Sequence, residues 1–175
     1  MNKFFHGLIV ICCLLTLTAC GKRDETVSVN KNGVLYEIGE DVSFYYPQDF
    51  ELVSKAEDSS ENMVSFKKTN QVFFYLAQDD ETDNEVGEKS ELYRGELEEK
   101  GAKITEVKEP VLESGLKCYE YIGRYPETGL KFIHLVYFDE NEILTYGYEA
   151  NEKEYNENID EMIFYIESFS KSTGL

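Results

Sequence analysis

The chain has 175 residues, with 35 Asp and Glu against 17 Lys and Arg and a formal net charge of −18. That balance excludes nucleic acid as a partner, because phosphate binding draws its affinity from Lys and Arg that neutralise the backbone. The length suits a single domain with a sizeable core, and a second is not expected.

Residues 1 to 19 have the layout of a secretory signal: Lys3 for positive charge, an apolar run from Leu8 to Leu15, and small residues before Cys20. The run is too short to cross a bilayer, which takes roughly 20 apolar residues. Leu17-Thr18-Ala19-Cys20 resembles the lipobox of bacterial lipoproteins. The resemblance implies cleavage before Cys20, a diacylglyceryl group on its sulfur, and a membrane held as a partner through that anchor. Two acyl chains hold firmly where one binds only marginally. The leader carries one Lys and no acid, so its loss takes the charge from −18 to −19. Such a charge repels anionic headgroups and lifts the domain off the bilayer. Residues 20–33 read as a flexible tether, of which the 12 from Gly21 to Asn32 reach roughly 40 Å when extended.

The single domain then occupies 34–170. Val34 to Ile38 and Val42 to Tyr46 read as short strands, the second with Val42, Phe44 and Tyr46 on one face and Pro47 as its stop. Asp49 to Val53 stays extended. Met63 to Lys68 and Gln71 to Gln78 form a hairpin about Thr69-Asn70. The second of these is apolar on both sides, with Val72, Phe74 and Leu76 on one and Phe73, Tyr75 and Ala77 on the other, so both faces are expected to be covered.

Asp79 to Glu85 is an acidic loop in which Asp79, Asp80, Asp83 and Glu85 are candidate oxygen ligands for a divalent cation such as calcium. The EF-hand pattern fails, since Asn84 stands where Gly belongs and Ser90 where the closing Glu belongs. Glu88 to Lys100 follows as a helix with Tyr93 and Leu97 facing inward, Gly95 weakening its middle and Gly101 ending it.

Three strand signals come next, at Ile104 to Val107, Lys117 to Tyr125 and Leu130 to Phe138. Asp139 to Glu142 turns the chain into a fourth, Ile143 to Ala150, making 117–150 a three-stranded antiparallel meander. Asn151 with Glu154 three residues on resembles a capping box. Tyr155, Ile159, Met162, Ile163 and Ile166 then recur at helical spacing, a stripe that would pack on the meander and bury Ile163, with Phe169 closing it.

The order strands, helix, meander, helix resembles the PsbP-like family. Val42-Ser43-Phe44-Tyr45-Tyr46-Pro47-Gln48-Asp49-Phe50 and the stretch Ile159 to Phe169 carry the resemblance. It implies an α+β fold, an α/β/α sandwich around a mainly antiparallel sheet. It also implies binding without catalysis, as in plant photosystem subunits, fungal GTPase-binding import factors and bacterial lipoproteins. No functional residue transfers from the family to this chain.

Catalytic signals are weak. There is no Gly-rich phosphate loop, zinc-binding His-Glu-x-x-His or Gly-x-Ser-x-Gly elbow, and no cofactor is expected. Beyond Cys20, Cys118 is the one cysteine and His134 the one histidine. Their hairpin positions put them roughly 7 to 10 Å apart at about 3.3 Å per residue, beyond hydrogen-bond reach and on faces set by register. Cys118, among Tyr119, Tyr121 and Ile122, reads as a buried small hydrophobe. Tyrosine is abundant, with 13 in the chain. Tyr119, Tyr121, Tyr137, Tyr146 and Tyr148 are either cross-strand packing or, if one sheet face is only partly covered, the lining of an amphipathic ligand groove. These readings lead to an extracytoplasmic, non-enzymatic lipoprotein with a protein partner at the cell envelope. The alternative is a solute- or cation-binding lipoprotein.

Overall fold

The computed structural model describes residues 33–55 and 62–172, so the leader, Cys20 and the tether as far as Asn32 lie outside the described residues. The N-terminal strands are β1 (Gly33–Ile38), β2 (Val42–Pro47), β3 (Glu51–Lys55), β4 (Asn62–Lys68) and β5 (Gln71–Asp79). Helix α1 (Val86–Glu99) leads to β6 (Lys103–Lys108), β7 (Tyr119–Tyr125), β8 (Leu130–Phe138) and β9 (Glu142–Asn151). Helix α2 (Glu152–Glu167) and the two-residue β10 (Ser170–Lys171) complete the chain. The fold is α+β.

Seven strands form one antiparallel sheet in the order β3-β4-β5-β9-β8-β7-β6. The expected meander thus gains β6 as a fourth strand and pairs through β9 with β5. A second sheet, β1-β2-β10, was not legible, because β10 contributes only Ser170 and Lys171 opposite Ser43 and Val42. Lys171 also forms ion pairs with Asp139 and Glu142, which tie this strand to the β8–β9 turn.

One face of the large sheet is covered by α2 and the small sheet together. Phe44 stacks on Tyr146 with ring centroids 4.3 Å apart, and Tyr46 stacks on Phe66 at 4.0 Å. Tyr155 of α2 stacks on Tyr148 at 5.9 Å. The start of α2 matches the expected cap: Asn151 Oδ1 accepts from the Glu154 amide at 2.9 Å, and Asn151 Nδ2 donates to Glu154 Oε2 at 2.8 Å. Its buried stripe is Tyr155, Met162, Tyr165 and Ile166. Ile163, expected to be buried, is only half-buried, because the helix is rolled so that Tyr165 faces the core instead.

The other face is covered by α1. Lys89 near its start donates to the carbonyls of Asp139 (3.1 Å) and Glu140 (3.3 Å) in the β8–β9 turn. Its end packs Leu97 with Ala102 and Ile104 at the head of β6, after Gly101 adopts φ +88° to close the helix. Fourteen residues rise about 21 Å. That length is spent carrying the chain from the middle of the sheet to its far edge, so α1 lies over β9 to β6 and leaves β4 and β5 aside.

Ile166, with no exposed surface, should lose about 2 to 5 kcal/mol of stability on truncation to Ala. Glu157→Ala, on the exposed side of the same helix, should shift the urea midpoint by no more than about 0.5 kcal/mol. Equal effects in urea denaturation would contradict the packing of α2 on the sheet.

Candidate functional site

The period of two along a strand decides which residues reach the uncovered half-face. Opposite one another on β4 and β5 stand Met63 and Leu76, Ser65 and Phe74, and Lys67 and Val72. Thr145, Gly147 and Glu149 of β9 continue these rows. Met63 is 36% exposed, and Val72, Phe74 and Leu76 are half-buried. The expectation that both faces of β5 are covered is met in full by Phe73 and Tyr75 and only in part on the opposite side, where Val72, Phe74 and Leu76 are half-buried.

Gly147 gives this floor its shape. A Cβ there would come within 2.5 Å of the Phe74 ring, so the absence of a side chain at Gly147 is what gives the ring its place over β9. Phe74 in turn meets His134 edge-on at 5.2 Å, and Phe132 closes the imidazole from the other side at 4.5 Å. His134 Nε2 is 3.1 Å from Glu149 Oε1, while Nδ1 is buried without a protein partner. The loop from Asp79 into α1 bounds the floor at one end. Its acids Asp79, Glu81, Asp83, Glu85 and Glu88 are all exposed.

The candidate metal ligands do not converge. Asp80 turns inward and pairs with Lys89 at 2.8 Å, both side chains being about 5% exposed. Its Oδ1 accepts from the Thr82 amide (3.0 Å) and hydroxyl (2.7 Å). Burial by itself would raise the Asp80 carboxyl, but the hydrogen bonds from Lys89 and Thr82 outweigh it and hold the group below the usual carboxylate range. Asp79, Asp83 and Glu85 face solvent, and no group of three acidic, His or Cys residues suited to a metal ion occurs among the described residues. Lys89 was not singled out from the sequence, although its place four residues before Tyr93 on the inner stripe was a signal.

The five candidate tyrosines do not line one groove. Tyr119 and Tyr121 face α1, whereas Tyr137, Tyr146 and Tyr148 face α2 and the small sheet. The sheet itself separates them. Tyr121, Tyr146 and Tyr148 have no exposed surface, and their hydroxyls are engaged internally. Tyr121 donates to the Ser90 carbonyl at 3.0 Å, Tyr146 to the Tyr45 carbonyl at 2.7 Å, and Tyr148 to Gln71 Oε1 at 2.8 Å. Burial raises the Tyr121 hydroxyl to about 12. Tyr119 and Tyr137 are half-buried at separate places. The partly covered face exists, but Phe74, Leu76, Val72 and Met63 line it.

Cys118 is 1% exposed among Leu112, Leu116 and Leu135 on the α2 side, opposite to His134. Burial pushes its thiol up to about 12. The two residues make no nucleophile and base.

No protein-family model matches the chain, and no curated protein sequence matches it. Solved structures do. The solution structure of CyanoP, the PsbP of Synechocystis sp. PCC 6803, superimposes with a TM-score of 0.60 at 14% identity, over 81% of this chain and 93% of that one. LpqN, described as involved in cell envelope biogenesis of Mycobacterium tuberculosis, gives 0.56 at 14% identity, over 79% and 89%. A Pseudomonas aeruginosa protein of unknown function gives 0.56 at 10% identity, over 82% and 99%. At these identities the likeness is one of fold, and the fold is PsbP-like.

Removing one partner of a buried ion pair strands the other charge, so Lys89→Met should cost about 3 to 5 kcal/mol, and Asp80→Leu with Lys89→Met should recover most of it. The unfolded carboxyl titrates near about 4. Because Asp80 is held lower when folded, its contribution is complete above that pH and is lost as pH falls through the folded value. Urea denaturation of the variants, and of wild type between neutral and acidic pH, measures both effects. Cys118 should resist an alkylating agent at pH 8 in the native protein and react once denaturant opens the core, as mass spectrometry would record.

Proposed function

We propose that the chain is an exported lipoprotein, anchored through Cys20, whose PsbP-like domain binds a protein partner at the cell envelope without catalysing a reaction. The observation that carries this reading is the apolar floor of Met63, Val72, Phe74 and Leu76, only partly covered by the described residues, beside an exposed acidic rim. An exposed apolar patch edged by charge is the ordinary form of a protein interaction site. The charge of the rim selects for a partner with apolar side chains flanked by Lys or Arg, and it would speed their encounter.

Three observations support the reading. The lipobox directs the chain out of the cytoplasm. The imidazole of His134 is enclosed by Phe74 and Phe132, away from the thiol of Cys118. LpqN, which shares the fold, is described as involved in cell envelope biogenesis. No helix among the described residues is long and apolar enough to cross a membrane.

A palmitate analogue fed to cells should label wild type and leave Cys20→Ala unlabelled. A photo-crosslinking residue at Met63 should capture one discrete basic protein, and the same residue at Glu157, on the exposed side of α2, should not. Phe74→Asp should lower capture at Met63 at least tenfold while keeping the native melting transition. Capture that is indifferent to position and to Phe74→Asp would refute the docking face.

A further inference from the structure

The strand register assembles a second feature that local sequence conceals. Lys103 of β6 stands opposite Arg124 of β7, which stands opposite Lys131 of β8. Three cations thus occupy one cross-strand row, about 10 Å from end to end at about 4.8 Å per strand. Like charges directly opposite destabilise a sheet. In a chain with 35 acidic residues, compensation was available. Yet neither Lys103 nor Arg124 forms an ion pair with any described residue, and both are exposed.

Lys131 is the member of the row with protein partners. Its ammonium donates to Asn156 Oδ1 at 2.8 Å, lies 3.7 Å from Glu152 Oε1 and sits 5.5 Å over the Tyr155 ring. Between the cations and the first turn of α2 is a pocket of about 250 Å³, lined by Arg124, Tyr125, Pro126, Gly129, Lys131 and Glu152. Pockets for drug-sized ligands run from roughly 300 to 1,000 Å³, so this one suits a single ring.

The lining is chemically mixed in a way that narrows the ligand. Two cations supply an anion site, and the Arg fork matches a phosphate or carboxylate. The Glu152 carboxylate would repel a bare anion but accepts hydrogen bonds from hydroxyls. Tyr125 and Pro126 offer apolar surface. We propose that this pocket binds an anionic sugar unit, phosphorylated or carboxylated, of an envelope glycan. Arg124 and Lys131 hold the anion, Glu152 accepts from ring hydroxyls, and Lys103 draws in the next charge along the chain.

Anionic lipid headgroups are the less favoured source of that charge, because of where the row stands. Gly33, where the N-terminal segment joins the domain, packs beside Tyr165 in the last turn of α2. Lys131 contacts Asn156 in the first turns. Nine residues of helix separate the two by about 14 Å, so the pocket lies toward the end of the domain away from the point of attachment. The proposal is independent of the docking face on the other side of the sheet and of what docks there.

Isothermal titration of the full chain in a nonionic detergent, with glucose 6-phosphate, glucuronate, glucose and inorganic phosphate, tests it. At least one of the two anionic sugars should bind saturably, at least tenfold tighter than either glucose or phosphate alone. Arg124→Gln should weaken that binding at least tenfold while leaving the melting temperature unchanged or raised, since it relieves a like-charge contact. Lys108→Gln, at the other end of β6, should leave binding unchanged. No saturable heat from either sugar at 10 mM, equal binding by Arg124→Gln, or saturable heat only from nonionic micelles doped with phosphatidylglycerol, titrated as a fifth probe, would overturn the assignment. Crosslinking at Met63 is unaffected by any of these outcomes.

Discussion

Tyr146 is the residue on which the two sheets depend for their contact. Its ring, without exposed surface, stacks between Phe44 at 4.3 Å and Phe73 at 5.7 Å, and its hydroxyl donates to the Tyr45 carbonyl at 2.7 Å. A buried hydroxyl without an acceptor would cost free energy, so the bond selects the register in which β2 lies on the large sheet. Burial raises that hydroxyl well above its ordinary value and keeps it a donor. The same β2 receives β10 on its other side, and α2 delivers β10 to it. Aromatic stacking and one oriented hydrogen bond therefore join the N-terminal hairpin, the sheet and the C-terminus.

The two faces of the sheet are unequal for a reason of connectivity. On the α2 side the chain has a helix, three short strands and an aromatic cluster to spend as cover. Among the described residues the other side has only α1, and α1 also carries the chain from β5 to the edge strand β6 so that β6 to β9 can return as a meander. A helix that crosses toward one edge cannot shield the other. The cover it does provide is fastened by Lys89, whose ammonium reaches the Asp80 carboxylate and two carbonyls of the β8–β9 turn. Lys89 thus fixes the acidic loop in place beside the floor that α1 leaves bare.

Electrostatics divide the surface in a similar way. Net charge keeps such a chain soluble and sets the sign of what approaches it. Against that field, a row of three cations at the β6–β8 end is a local inversion, completed when β6 brings Lys103 into register beside the β7–β8 hairpin that already pairs Arg124 with Lys131. The acidic loop at the start of α1 and the cationic row beside α2 give the two sides of the sheet opposite local charge.

What the sequence determined by itself is whatever local chemistry decides. The Asn151 and Glu154 cap, the two-residue turn at Thr69-Asn70, the left-handed Gly101 and the helical stripe of α2 depend on neighbours within a few residues, and each was legible as such. Alternation along β5 and β9 was legible too, but only as parity. Which face of β5 would be covered depended on the path of α1. Whether the tyrosines shared a face depended on counting parity across strands: Tyr119 and Tyr121 fell on one side of the sheet, and Tyr137, Tyr146 and Tyr148 on the other. The pairing of Asp80 with Lys89 and the alignment of Lys103, Arg124 and Lys131 lay equally out of reach. A contact between residues far apart in the chain is set by register and by layer order, and those are properties of the packed whole that no local pattern encodes.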